Sequence, residues 1–78
     1  MGLLFRITQT EAGGWVGCLE DQVITKEWPD ARKAELVEIV VGHAREWTRM
    51  LPEAAIRVVA PEGDGVEKLV WRNSPGLI

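Results

Sequence analysis

Apolar and polar positions alternate with two different periods along the chain. Over residues 3–9, LLFRITQ, Leu3, Phe5 and Ile7 fall on one side and Arg6 on the other. That is the period-two signature of a strand with one buried face. Glu11-Ala12-Gly13-Gly14 follows, and paired glycines between apolar runs supply the positive φ angles of a tight hairpin. Residues 15–20, WVGCLE, read as the return strand, with Trp15, Gly17 and Leu19 on one face and Val16, Cys18 and Glu20 on the other. After a turn at Asp21, residues 22–27, QVITKE, read as a third short strand.

At Pro29 the period changes. Proline suits the first helical position and disfavours helix in the residue before it, and Asp30 complements the helix dipole. From Pro29 to about Leu51, positions Leu36, Val37, Val40, Val41, Ala44, Trp47 and Thr48 follow the three-and-four spacing of one helical stripe. Arg32, Glu35, Glu38, Arg45, Glu46 and Arg49 lie off it. Pro52 ends the helix.

Residues 55–60, AIRVVA, read as a fourth strand with Ile56 and Val58 on one face. PEGDG, residues 61–65, is a turn. Residues 66–72 form a fifth strand in which Leu69 and Trp71 alternate with Lys68 and Arg72, and residues 73–78 are a short tail, loose at its end. The predicted fold class is α+β: a single domain over residues 1–78 in the order β-β-β-α-β-β. The sheet is expected to be mostly antiparallel, with one long helix packed on one face. One helix covers only one face of such a sheet, so the other is left to solvent or to another molecule.

Composition narrows this picture. With 46% apolar and 27% charged residues the chain reads as globular. Formal net charge is −3, and nine basic residues are scattered among twelve acidic ones. Generic nucleic-acid binding needs clustered Lys and Arg to neutralise phosphates, so nucleic acid is not the expected partner; an acidic surface suits a basic protein. Cys18 is the only cysteine, which excludes an intrachain disulfide and fits a reducing compartment. No segment has the length of a membrane span, and the MGLLFR start carries Arg6 where a myristoylation signal needs Ser or Thr. These features point to a soluble cytoplasmic protein of bacterial type.

No enzyme signature is present. There is no P-loop and no GxGxxG, and Gly13-Gly14 sits in a hairpin. His43 has no nearby cysteine and reads as a partly exposed helix residue, without metal-ligand spacing. Cys18 reads as a small buried packing residue, and Glu20-Asp21 and Glu62/Asp64 as solvated turn residues. No cofactor and no metal is expected, and no catalytic residue is assigned. Four tryptophans make up most of the five aromatics. Trp47, on the helix stripe, reads as core. Trp28 and Trp71, together with Leu69, are the candidate contacts for a partner or for self-association, because tryptophan supplies a large rigid contact area.

The run TEAGGWVGCLEDQVITKEWPDARKAELVEIVVGHAREW resembles the HicB-like antitoxin domain over roughly residues 3–60. The features carrying it are the acidic glycine turn (Glu11, Gly13-Gly14), the aromatic Trp15, Thr25 and the helix from Pro29. The family's usual Asp-Thr helix cap is replaced here by Trp28-Pro29, and no ribbon-helix-helix or helix-turn-helix segment follows. The resemblance implies a stand-alone, non-catalytic domain that self-associates as a dimer or tetramer and masks a protein partner. In full systems that partner is a small basic ribonuclease toxin, HicA. Two other readings stay open. The exposed sheet face binds nucleic acid if Arg6, Arg57, Lys68 and Arg72 cluster beside aromatics, or the fold assembles a small carboxylate-based hydrolase site.

The helix stripe makes a testable prediction. Leu36, Val37, Val40, Val41 and Ala44 should pack on Phe5, Ile7, Trp15 and Leu19. Val40→Asp should then unfold the domain, because an unpaired buried charge costs several kcal/mol. An unchanged melting temperature would contradict the stripe.

Overall fold

The structure, a computed structural model, describes residues 2–74. In chain order it contains β1 (Gly2–Gln9), β2 (Trp15–Leu19), β3 (Gln22–Val23), a 3-10 turn (Asp30–Arg32), α1 (Lys33–Met50), β4 (Ala55–Pro61) and β5 (Glu67–Arg72). The strands form one sheet in the order β3-β2-β1-β4-β5. Three junctions are antiparallel. The fourth, β1 beside β4 at the centre, is parallel, so the five-stranded sheet is mixed. A parallel neighbour needs a long crossover, and α1 supplies it. No helix among the described residues is long and apolar enough to cross a membrane.

Local chemistry explains where the elements start and stop. Gly13 takes φ +89° in the β1–β2 hairpin, where the Thr10 N–H donates to Gly14 O at 2.8 Å and the Gly13 N–H to Thr10 O at 3.0 Å. The third strand is shorter than the expected 22–27. After Val23 the Thr25 hydroxyl accepts the Gly17 N–H at 2.9 Å and donates to Lys26 O at 2.9 Å. The Ile24 N–H still donates to Gly17 O at 2.9 Å, but a side chain takes the other half of the ladder, and the chain leaves the sheet. It rejoins only at Trp28, bridged to Trp15 by two 2.8 Å backbone hydrogen bonds. The helix also begins later than Pro29. Asp30–Arg32 form a 3-10 turn, Arg32 sits at φ −115°, and regular helix starts at Lys33.

The core lies between α1 and one face of the sheet. Leu36, Val40 and Ala44 are fully buried against Phe5, Ile7, Trp15, Ile56 and Val58, with Val37, Val41, Leu19 and Trp47 half-buried at the margins. The expected stripe is therefore the packed one. Gly17 sits under the helix, where an added Cβ would lie 2.5 Å from Val40 Cγ2. The missing side chain sets how closely α1 approaches β2.

Asn73, expected at the start of the short tail, is the one buried polar side chain among the described residues. Its Oδ1 accepts the Ile56 N–H at 2.9 Å and its Nδ2 donates to Ala54 O at 2.7 Å. Its own N–H donates to Ile56 O at 3.1 Å. The amide ties the end of β5 to the start of β4. Residues 75–78 of the expected tail lie outside the described residues.

The Gly17 contact predicts a coupled pair. Gly17→Ala should destabilise the fold by about 1–3 kcal/mol through overpacking. Adding Val40→Ala should recover part of that loss, with a coupling of about 0.5–3 kcal/mol in a double-mutant cycle read by urea melts. Additive losses would refute the contact.

Candidate interaction surface

Helix α1 packs over β4, β2 and β1 and makes little contact with β5. Two surfaces follow: the sheet face opposite the helix, and the outermost strand β5.

The open face is assembled by strand alternation. Phe5, Ile7, Trp15, Gly17, Ile56, Val58 and Ala60 turn toward the helix and are buried, so Leu4, Arg6, Val16, Cys18, Arg57 and Val59 turn away. The register joins them into rows across the sheet. One runs Val23–Cys18–Arg6–Val59–Leu69. Its two ends are the most exposed, Val23 at 61% and Leu69 at 54%. The next runs Leu4–Arg57–Arg72 and reaches Glu20, whose N–H donates to Leu4 O at 2.9 Å. Cys18 is thus half-exposed on the open face, contrary to the expected buried packing role, because the sheet carries no layer on that side.

Electrostatically this face differs from the chain as a whole. Arg6 Nε lies 2.7 Å from Glu67 Oε2, an ion pair by distance whose Nε–H is not aimed at the carboxylate. Arg57 and Arg72 are directly opposite across β4 and β5. Among the described residues neither has an ion-pair partner. Like charges in that position repel. Lys68 does not join them. It pairs with Ala60, whose side chain turns to the helix side, and its Nζ lies 3.9 Å from Asp64. Nor does an aromatic ring stand beside the arginines: Trp15, Trp28, Trp47 and Trp71 all pack against the core.

The register of β5 shifts between Val58 and Val59, where Trp71 and Leu69 are the successive partners and Val70 is left over. Such a bulge puts two neighbouring side chains on one side. Trp71 turns inward and half-buried against the core, while Val70 stays 41% exposed. Val70 faces a shallow groove whose helix wall is Val37, Glu38 and Val41. Of the three contact candidates, Leu69 is open to solvent. Trp71 and Trp28 are half-buried. Trp28 is held between Lys26 and Arg32, 5.2 and 4.7 Å from its ring centroid. Val23 and Val66, exposed on a border strand or beside one, were not legible as surface residues. They are branched apolar residues with no distinguishing pattern, and only the register reveals their side.

The remaining chemistry stays dispersed. His43 is exposed on α1, and Glu20-Asp21 and Glu62/Asp64 stay exposed in turns between different pairs of strands. Among the described residues no three His, Cys, Asp or Glu side chains gather closely enough to hold a metal ion. The Arg32 guanidinium is held above its already high pKa by the hydrogen bond and charge of Glu35. Comparison with protein-family models, with curated proteins and with solved structures found no match to this chain.

The opposed arginines predict a gain on charge reversal. Measured on the monomer, at concentrations below self-association, Arg57→Glu, facing Arg72, should stabilise the domain by about 0.2–1 kcal/mol, an increment that shrinks as salt rises. A thermal melt showing no gain at low salt would mean the pair is not repulsive.

Proposed function

We propose that this chain is a small, non-catalytic protein-interaction domain of the HicB-like antitoxin kind, which self-associates and masks a protein partner. The observation that carries this reading is the outermost strand β5. Leu69 and Val70 are 54% and 41% exposed there and Val66, just before the strand, is 55% exposed, and α1 leaves the strand largely uncovered. An uncovered sheet edge invites a further strand from another chain. The groove between Val70 and the Val37–Val41 side of α1 offers a place for that strand's side chains. Three strands, a helix and a strand returning beside β1 also fit the resemblance seen in the sequence. A net charge of −3 and exposed Glu38 on α1, beside Glu35 and Glu46 that pair with Arg32 and Arg49, suit a small basic partner of the HicA type.

The three open-face arginines favour nucleic acid by charge alone. One of them already lies against Glu67, and single-stranded nucleic acid needs stacking rings as well as charge. The aromatic side chains lie on the helix side of the sheet, so the protein partner is the better reading. A carboxylate-based hydrolase needs acids brought together, and the two acidic turns stay apart.

The test is to isolate a partner from native extract, purify it, and titrate it against the wild type and Val70→Lys. Val70 is exposed, so the variant should melt like the wild type yet bind at least tenfold more weakly, as a contact worth over about 1.4 kcal/mol requires. Equal affinity would remove β5 from the contact. Metal-dependent hydrolysis lost on substituting the acidic turns would overturn the non-catalytic reading.

A further inference from the structure

We infer that the open face of the sheet is covered by a second copy of this chain, packed face to face about a twofold axis along β1. The inference rests on the self-association proposed above and specifies its surface.

The sheet order places β1 in the middle, with two strands on each side. A twofold axis in the contact plane and parallel to β1 lays β3 of one copy over β5 of the other, and β2 over β4. The row Val23–Cys18–Arg6–Val59–Leu69 then falls on its own reverse. Val23 meets the other copy's Leu69 and Cys18 meets its Val59. The two exposed apolar ends of the row thus cover each other.

Charge follows the same symmetry. Glu20 and the exposed Asp21 close the β2–β3 turn, level with the Leu4–Arg57–Arg72 row and at the opposite side of the sheet. The rotation carries this acidic corner onto the other copy's Arg57 and Arg72. Two arginines that repel each other within one chain would receive carboxylates from the next. Near the axis Arg6 meets Arg6, each with Glu67 beside it, so the centre is balanced. Twofold contacts are self-complementary by construction, and this face matches apolar to apolar and acid to base under a single operation. Glu20 Oε1 also accepts the Leu4 N–H at 3.1 Å within the chain, but a contact with an unrelated acidic segment would satisfy Arg57 and Arg72 and still leave Asp21 and Val23 without a role. The edge of β5 and the Val70 groove remain free in this pair, so a partner protein has its own surface.

The experiment uses the full chain carrying Cys18→Ser, with Val23→Cys in one preparation and Leu69→Cys in another. Facing sheets stand about 10 Å apart, so a bis-maleimide of that span is the linker. Mixing the two proteins should give a covalent dimer, and neither alone should. Linking of Leu69→Cys to itself would overturn the inference in favour of β5 pairing edge to edge, while leaving self-association standing. Light scattering supplies an independent arm. Asp21→Lys and the double variant Arg57→Glu/Arg72→Glu should each be monomeric, and their mixture should recover the dimer. A wild type monomeric at its highest soluble concentration overturns both the inference and the self-association, while the partner titration continues to test the masking reading by itself.

Discussion

A strand cannot reach a parallel neighbour through a tight turn, so the pairing of β1 with β4 commits the chain to a long excursion between them. The last leg of that excursion, after β2 and β3, is α1, and most of the architecture follows from its path. The helix must return across one face of the sheet, so the core forms there, from Phe5, Ile7, Ile56 and Val58 below and Leu36, Val40 and Ala44 above. Its closeness is set by Gly17, where a methyl group would strike Val40. Because β5 is added outside β4, the single helix is too narrow to shelter it. The exposed border and the open face are thus consequences of how the centre is joined.

The same geometry sorts charge. The chain is acidic overall, yet the face away from the helix gathers three arginines against one glutamate, with the acids of the β2–β3 turn at its far margin. Arg57 and Arg72 are drawn together because β4 and β5 are neighbours in a register fixed at its end by Asn73. That asymmetry is a property of pairing, and composition alone conceals it.

Much of the fold was legible in the residues. The alternation of Leu3, Phe5 and Ile7, the spacing of Leu36, Val40 and Ala44, and the paired glycines at 13 and 14 each carry a period or a backbone requirement that few structures satisfy. The late helix start and the early end of β3 were not legible. They depend on the Thr25 hydroxyl reaching Gly17 and on the Trp15–Trp28 bridge, contacts between residues eight and thirteen positions apart. The parallel junction was hidden for a similar reason: the alternation of 55–60 reads the same whichever neighbour the strand joins. At the candidate surface, Leu69 was legible as apolar, but its side of the sheet was not. The extra residue in β5 reverses the simple alternation between Leu69 and Trp71, placing one outward and the other against the core.

That irregularity limits what the border of the sheet can template. A flat, regularly alternating border would template one chain after another without limit, the growth mode of cross-β fibrils. In β5 the bulge at Val70 bends the border and Lys68 adds a charge, two devices that blunt edge-to-edge stacking. The strand therefore exposes apolar side chains while lacking the straight, repetitive edge that an open-ended polymer requires.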